Sequence, residues 1–277
     1  MPLIRARPVQ ACRINSKFLQ AFCLSSNFDT LVEQHDQTRI PALDGLRSLS
    51  LLWIIFAHTS EMATELGTDN QNSVALASQS IPLTFSLGAS LAIDTFFFQL
   101  GHETTRVLLR RMEKKRKAIA WADTFTFLVI RYLRLTPLYA YLLFFYAYLV
   151  PHFGEGPVWY RMTQGAHMCA AGGTWWTNLL YINNFYPESF QETCMPWSWY
   201  LACDMQFFIV GLIILTIYLR LSHRIGIAFA VILTAAGVFC GWWVLGKTHR
   251  DPANNFFDKP YSRVTPFTVG IIMGICT

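Results

Sequence analysis

An α-helix needs about 20 consecutive, mostly apolar residues to cross the hydrocarbon of a bilayer. This sequence contains five stretches of that kind and the beginning of another. They run from about Leu46 to Glu61, Ile81 to Gly101, Thr124 to Val150, Trp197 to Leu219 and Ile225 to Leu245, and the sixth starts near Val264. Lipid offers backbone N–H and C=O groups no hydrogen-bond partner, so such runs must be helical. The expected fold is all-α, a polytopic membrane helix bundle of about five full spans plus a truncated sixth. Composition agrees: 53% of the 277 residues are hydrophobic and 14% charged, and mean hydropathy is +0.32. A soluble domain carries roughly a quarter charged residues. A disordered chain and a small disulfide scaffold are excluded. From Val264 to Thr277 the sixth run would rise about 21 Å at 1.5 Å per residue, less than a hydrocarbon core of about 30 Å. That points to the front part of a longer membrane protein or a truncated form.

Lys and Arg in short loops set the orientation. Arg106, Arg110, Arg111, Lys114, Lys115, Arg116 and Lys117 lie between the second and third runs and mark a cytoplasmic segment. The N-terminal segment 1–39, with Arg5, Arg7, Arg13, Lys17 and Arg39, falls on the same side and is expected to be poorly ordered. Residues 62–80 hold no Lys or Arg, and 151–196 hold only Arg161, so both belong to the far side. Lys247, Arg250, Lys259 and Arg263 would also lie outside, against the trend. Paired tryptophans at 175–176, 197 and 199, and 242–243 fall at the outer interface, either as an aromatic belt or as packing. The net charge of +5 is mild and spread between apolar runs, which argues for anionic lipid beside the loops and no nucleic acid. Seven scattered cysteines show no zinc or haem spacing, so no metal is expected. Cys169 and Cys194 share the outer interval, and an oxidising compartment would let them pair.

Ionisable residues inside apolar runs cost about 2.5–3.5 kcal/mol each at a helix centre on insertion scales, and they therefore tend to mark function. Arg47 and His58 are eleven residues apart, close to three helical turns, hence on one face and about 16 Å apart along the axis. A neutral imidazole is a ready proton acceptor. Asp94, in Ala92-Ile93-Asp94-Thr95-Phe96, is expected near the depth of His58, where a carboxylate would orient the ring. Arg131 and Arg134, at i and i+3, are expected together just inside the cytoplasmic boundary, suited to phosphate. Asp204 and Gln206 are further buried polar groups of unassigned role.

Asp44-Gly45-Leu46-Arg47 followed by His58 resembles the arginine–ten residues–histidine motif of the acyltransferase 3 family of membrane proteins. Ile93-Asp94-Thr95-Phe96-Phe97-Phe98, Arg131-Tyr132-Leu133-Arg134-Leu135-Thr136-Pro137 and Trp175-Trp176-Thr177-Asn178-Leu179-Leu180-Tyr181-Ile182-Asn183-Asn184 resemble its animal branch, named nose resistant to fluoxetine. Cys194-Met195-Pro196-Trp197-Ser198-Trp199 and Tyr261-Ser262-Arg263-Val264-Thr265-Pro266-Phe267 do the same. The resemblance implies that residues 40–277 are a partial acyltransferase 3 transmembrane domain, since fuller chains have about ten or more helices. It also implies acyl transfer from acyl-CoA, the donor substrate, to a hydroxyl acceptor on a lipid, sugar or small molecule. His58 would be the general base, Asp94 would orient or charge-balance the site, and Arg47, Arg131 and Arg134 would hold the CoA phosphates. The expected location is the endoplasmic reticulum or plasma membrane. Two other readings stand beside this one: a transporter or lipid-handling protein with a His58–Asp94 proton relay, and an inactive truncated form that associates with a full-length homologue.

Overall fold

The computed structural model describes residues 23–25, 27–28, 40–65, 84–86, 88–115, 121–189, 192–247 and 257–277. The expectations for segment 1–39 and for the loop 62–80 fall almost wholly outside the described residues. Two compact units divide at residue 45, and the interactions below belong to the unit 46–277.

Among the described residues all regular structure is helical. The long helices are α1 (Pro41–Glu65), α2 (Ser90–Lys115), α3 (Trp121–Tyr148), α7 (Trp199–Arg220), α8 (His223–Lys247) and α9 (Pro260–Cys276). Three short ones, α4 (Pro157–Met162), α5 (Gln164–Ala170) and α6 (Trp175–Leu179), lie between α3 and α7. Each of the six apolar runs thus contributes a long helix. Three helical stretches, Trp121–Tyr148, Pro196–Arg220 and His223–Val244, are long and apolar enough to cross a membrane.

The second run departs from expectation. Its helix starts at Ser90, nine residues later than the apolar pattern suggests, and continues through the basic segment to Lys115. Leu, Arg, Met, Glu and Lys are strong helix formers. Leu108 and Met112, at i and i+4, bury against the core and carry the helix through the charged stretch. The cluster expected as a cytoplasmic loop is, as far as Lys115, part of a rigid helix.

Neighbouring helices alternate in direction. Arg47 meets Glu103 and Ser50 meets Thr95, so α1 and α2 are antiparallel. Thr124 meets Thr216 between antiparallel α3 and α7, and Leu221-Ser222 turns α7 into α8. Helices α2 and α9 run parallel, with Gly101 against Phe267, Gly270 against Phe98 and Gly274 against Thr105. The core is centred on the rings of Phe97, Phe207 and Phe267, edge-on at 5.0 Å and stacked at 5.2 Å respectively.

Between α3 and α7 the described α-helices have five to seven residues and rise only about 8–11 Å. The interval folds back onto α3 and α7. Asn178, Asn183 and Asn184 are buried, and a disulfide joins Cys169 to Cys194. The bond closes a separation of 25 residues, for which loop-closure entropy gives about 3.5 kcal/mol. Replacing both cysteines by serine should lower the melting temperature of the detergent-solubilised protein. Wild-type protein should also shift in mobility on a non-reducing gel once reduced, and identical mobility would remove the bond.

Candidate active site

Helix α1 presents Arg47, Ser50, Trp53 and Ala57 to α2 and the turn before it. Arg47 Nε donates to Gln99 Oε1 at 2.9 Å, and its Nη2 reaches Glu103 Oε1 at 2.8 Å. Ser50 and Thr95 share a hydrogen bond of 2.7 Å. Trp53 stacks on Phe85 with ring centroids 4.6 Å apart and donates to the Phe85 carbonyl. Helix α1 then outruns the start of α2. His58, the residue after Ala57, has a side chain 64% exposed, with Nδ1 3.2 Å from Glu61 Oε2.

Asp94 does not lie at the depth of His58. Thr95, its neighbour, bonds Ser50, and His58 is eight residues further along α1, about 12 Å at 1.5 Å per residue. The cause is the late start of α2, which puts Asp94 within its first two turns. The partner of Asp94 is Arg263 of α9, whose Nη1 lies 3.1 and 3.3 Å from the two carboxylate oxygens. Arg263 also donates from Nε to the Phe257 carbonyl and lies over the Phe257 ring.

The two arginines of α3 separate as well. Helix α3 begins at Trp121, so Arg131 is ten residues in, about 15 Å from its start and not at the boundary. Its guanidinium bonds Asp204 Oδ2 at 2.5 Å and lies 4.3 Å from the centroid of Phe208. Arg134, one turn on, is exposed. A step of three residues turns a helix by about 300°, so i and i+3 can straddle the edge of a contact face. The expected arginine pair is one interior and one outward side chain, and among the described residues His58 meets Glu61 while Arg47 and Arg131 meet Gln99, Glu103 and Asp204.

A polar seam runs instead from α3 to α2 through residues that sequence reading left without a role, Gln206 among them. Asn178 Nδ2 lies 2.9 Å from each of Tyr139 Oη, the Cys194 carbonyl and Ser198 Oγ, locking α6 between α3 and α7. Asn184 and Gln206 exchange amide hydrogen bonds of 3.1 and 2.9 Å, and Gln206 also donates to the Tyr181 carbonyl. Tyr181 takes a left-handed backbone conformation, φ 58°, which a tyrosine adopts only when its surroundings impose it. Its hydroxyl meets Thr136 at 3.1 Å, and burial pushes the phenol pKa up. Lys259 donates to the Asn184 carbonyl and pairs with Asp258 at 3.2 Å. Burial raises the Asp258 pKa, and the Lys259 ammonium works against that rise. The visible signals were Asn183-Asn184 in an otherwise apolar stretch and Arg263 just before an apolar run. Lys259 and Arg263 also explain half of the outer charges that opposed the orientation rule: both are consumed by internal carboxylates.

A family profile described as an acyltransferase domain matches residues 40–275. The chain belongs to the acyltransferase 3 family. It is 30% identical to nose resistant to fluoxetine protein 6 of Caenorhabditis elegans, over 93% of this chain and 34% of that protein. It is 21% identical to regulator of hypoxia-inducible factor 1 of the same organism, over 87% of this chain and 51% of that protein. The chain therefore spans about a third to a half of the curated relatives it matches. No solved structure matches it. Members of this family are membrane-embedded, which accounts for the three candidate spans found among the described residues.

Proposed function

We propose that this chain forms part of a membrane-embedded O-acyltransferase that moves an acyl group from acyl-CoA to a hydroxyl-bearing acceptor. The match of the acyltransferase profile over residues 40–275 carries the reading. All six long helices enter the bilayer on this proposal, in the alternating directions their contacts require. His58 is the general base. A Glu61 carboxylate 3.2 Å from Nδ1 favours the tautomer with its proton on that nitrogen, leaving the Nε2 lone pair to accept the acceptor's hydroxyl proton. Glu61 thus takes the orienting part first expected of Asp94. The exposed ring suits a base that must reach a substrate. Arg47, held by Gln99 and Glu103, and Arg131, held by Asp204, are fixed within the bundle by those partners, and Arg134 remains accessible to an anion.

The relay of the transport reading finds less support, because Asp94 bonds Arg263 and sits about 12 Å of helix rise away from His58. The test is acyl transfer from radiolabelled acyl-CoA by protein in lipid nanodiscs. Transfer should vanish in His58→Ala, by at least about a hundredfold for loss of a general base, and Glu61→Gln should cost less. Turnover unchanged in His58→Ala removes the role of His58. Proton-coupled uptake into vesicles without acyl transfer would replace the enzyme by a transporter.

A further inference from the structure

The cations that spacing nominated for the donor's phosphates are mostly engaged: Arg131 on Asp204, and Arg47 on Glu103 and Gln99. A phosphate arriving there would compete with a carboxylate already in place. Several guanidinium groups have no carboxylate against them among the described residues, and three of these lie close together in sequence. They are Arg106, Arg110 and Arg111, on the C-terminal half of α2. Arg106 and Arg110 are i and i+4, adjacent on the helix surface, where like charges disfavour the helix. The helix dipole compensates cations only in the last turn, and Arg106 and Arg110 lie before the last turn of α2. Arg111 turns toward α3, with its guanidinium 5.2 Å from the centroid of Phe127. Stacked in this way, a guanidinium keeps its N–H edge available for an anion. The first residue of α3, Trp121, is 65% exposed and has Arg220 5.2 Å from its ring centroid. Arginines without a carboxylate partner on the last turns of α2, with an exposed indole at the start of the next helix, match a ligand that carries phosphates and an aromatic base.

We propose that Arg106, Arg110, Arg111 and Trp121 bind the 3′-phosphoadenosine diphosphate end of the acyl-CoA donor at this end of the bundle. The inference rests on the acyltransferase reading and locates the donor's headgroup for it. The guanidinium groups meet the phosphates as charge-assisted, fork-shaped donors, and Trp121 stacks on the adenine. The site owes its existence to the continuation of α2 beyond Gly101, which holds the cations on a rigid element. The same phosphate chemistry is offered by anionic lipid headgroups, so the test separates the two sources.

The full chain in phosphatidylcholine nanodiscs is titrated with radiolabelled 3′,5′-adenosine diphosphate by equilibrium dialysis. Loss of two charge-assisted contacts in R110Q/R111Q should weaken binding by about tenfold or more, with the melting temperature unchanged. Binding by the wild type should fall with added salt more steeply than binding by the variant. W121L should weaken the nucleotide but not competition by inorganic pyrophosphate. Equal nucleotide affinity in wild type and R110Q/R111Q overturns the site and leaves the acyltransferase reading intact. No binding by the wild type overturns both. A variant that differs from wild type only after phosphatidylserine is added assigns the arginines to lipid headgroups and overturns the nucleotide site.

Discussion

Arg131→Ala should destabilise the protein by about 3–5 kcal/mol, the cost of stranding a buried charge. Asp204 is buried on α7, and Arg131 is its ion-pair partner, with Phe208 covering the guanidinium. Removing the arginine leaves a carboxylate that must either protonate or stay charged in an apolar interior. Asp204→Leu in the same protein should recover most of the loss, since replacing both members of a buried pair by apolar groups is often neutral or stabilising. Arg131 Nε is itself buried without a partner, so the wild-type pair is under-satisfied and the double variant has less to lose. Thermal melts of the solubilised protein in the same detergent decide this. A loss below about 1 kcal/mol, the median for an exposed pair, would mean that the pair is solvated.

Gly270→Ala should separate α2 from α9. A Cβ built on Gly270 falls 2.1 Å from the Phe98 carbonyl oxygen, and one on Gly101 falls 2.1 Å from that of Phe267. Both neighbours are helix backbone and cannot turn aside as a flexible side chain could. Each helix approaches the other through small residues, the geometry that brings backbones into contact in bilayers, and α9 repeats glycine at i and i+4. Overpacking of this kind costs about 1–3 kcal/mol at ordinary core sites and more where backbone must move. The Asp94–Arg263 pair depends on the same approach, so the upper end is expected here. Gly45→Ala is the control. Nothing lies within 4 Å of its added Cβ, and helix propensity alone should stabilise it by about 1 kcal/mol. Equal melting temperatures for Gly270→Ala and wild type would show that the two helices do not touch there.

The long helices were legible because lipid leaves the backbone no alternative to helix. The resemblance at Arg47 and His58 led to the family for a similar reason: a motif is a local property of the chain. Pairings between helices were not legible. Asp94 was assigned to His58 because its depth was counted back from a helix end at Gly101, whereas α2 runs on to Lys115. Asp204, unassigned on sequence alone, proved to be the partner of Arg131.

Sequence alone determined that the chain is helical, where its apolar runs lie and which family it resembles, since hydrophobic length and short motifs are read within one segment. Only the tertiary structure decided which charges neutralise one another and that the interval between α3 and α7 folds back on its asparagines. Those outcomes depend on where two helices cross. That depends in turn on contacts such as Gly270 against Phe98, whose partners are 172 positions apart in the chain (270 − 98) and share no local pattern.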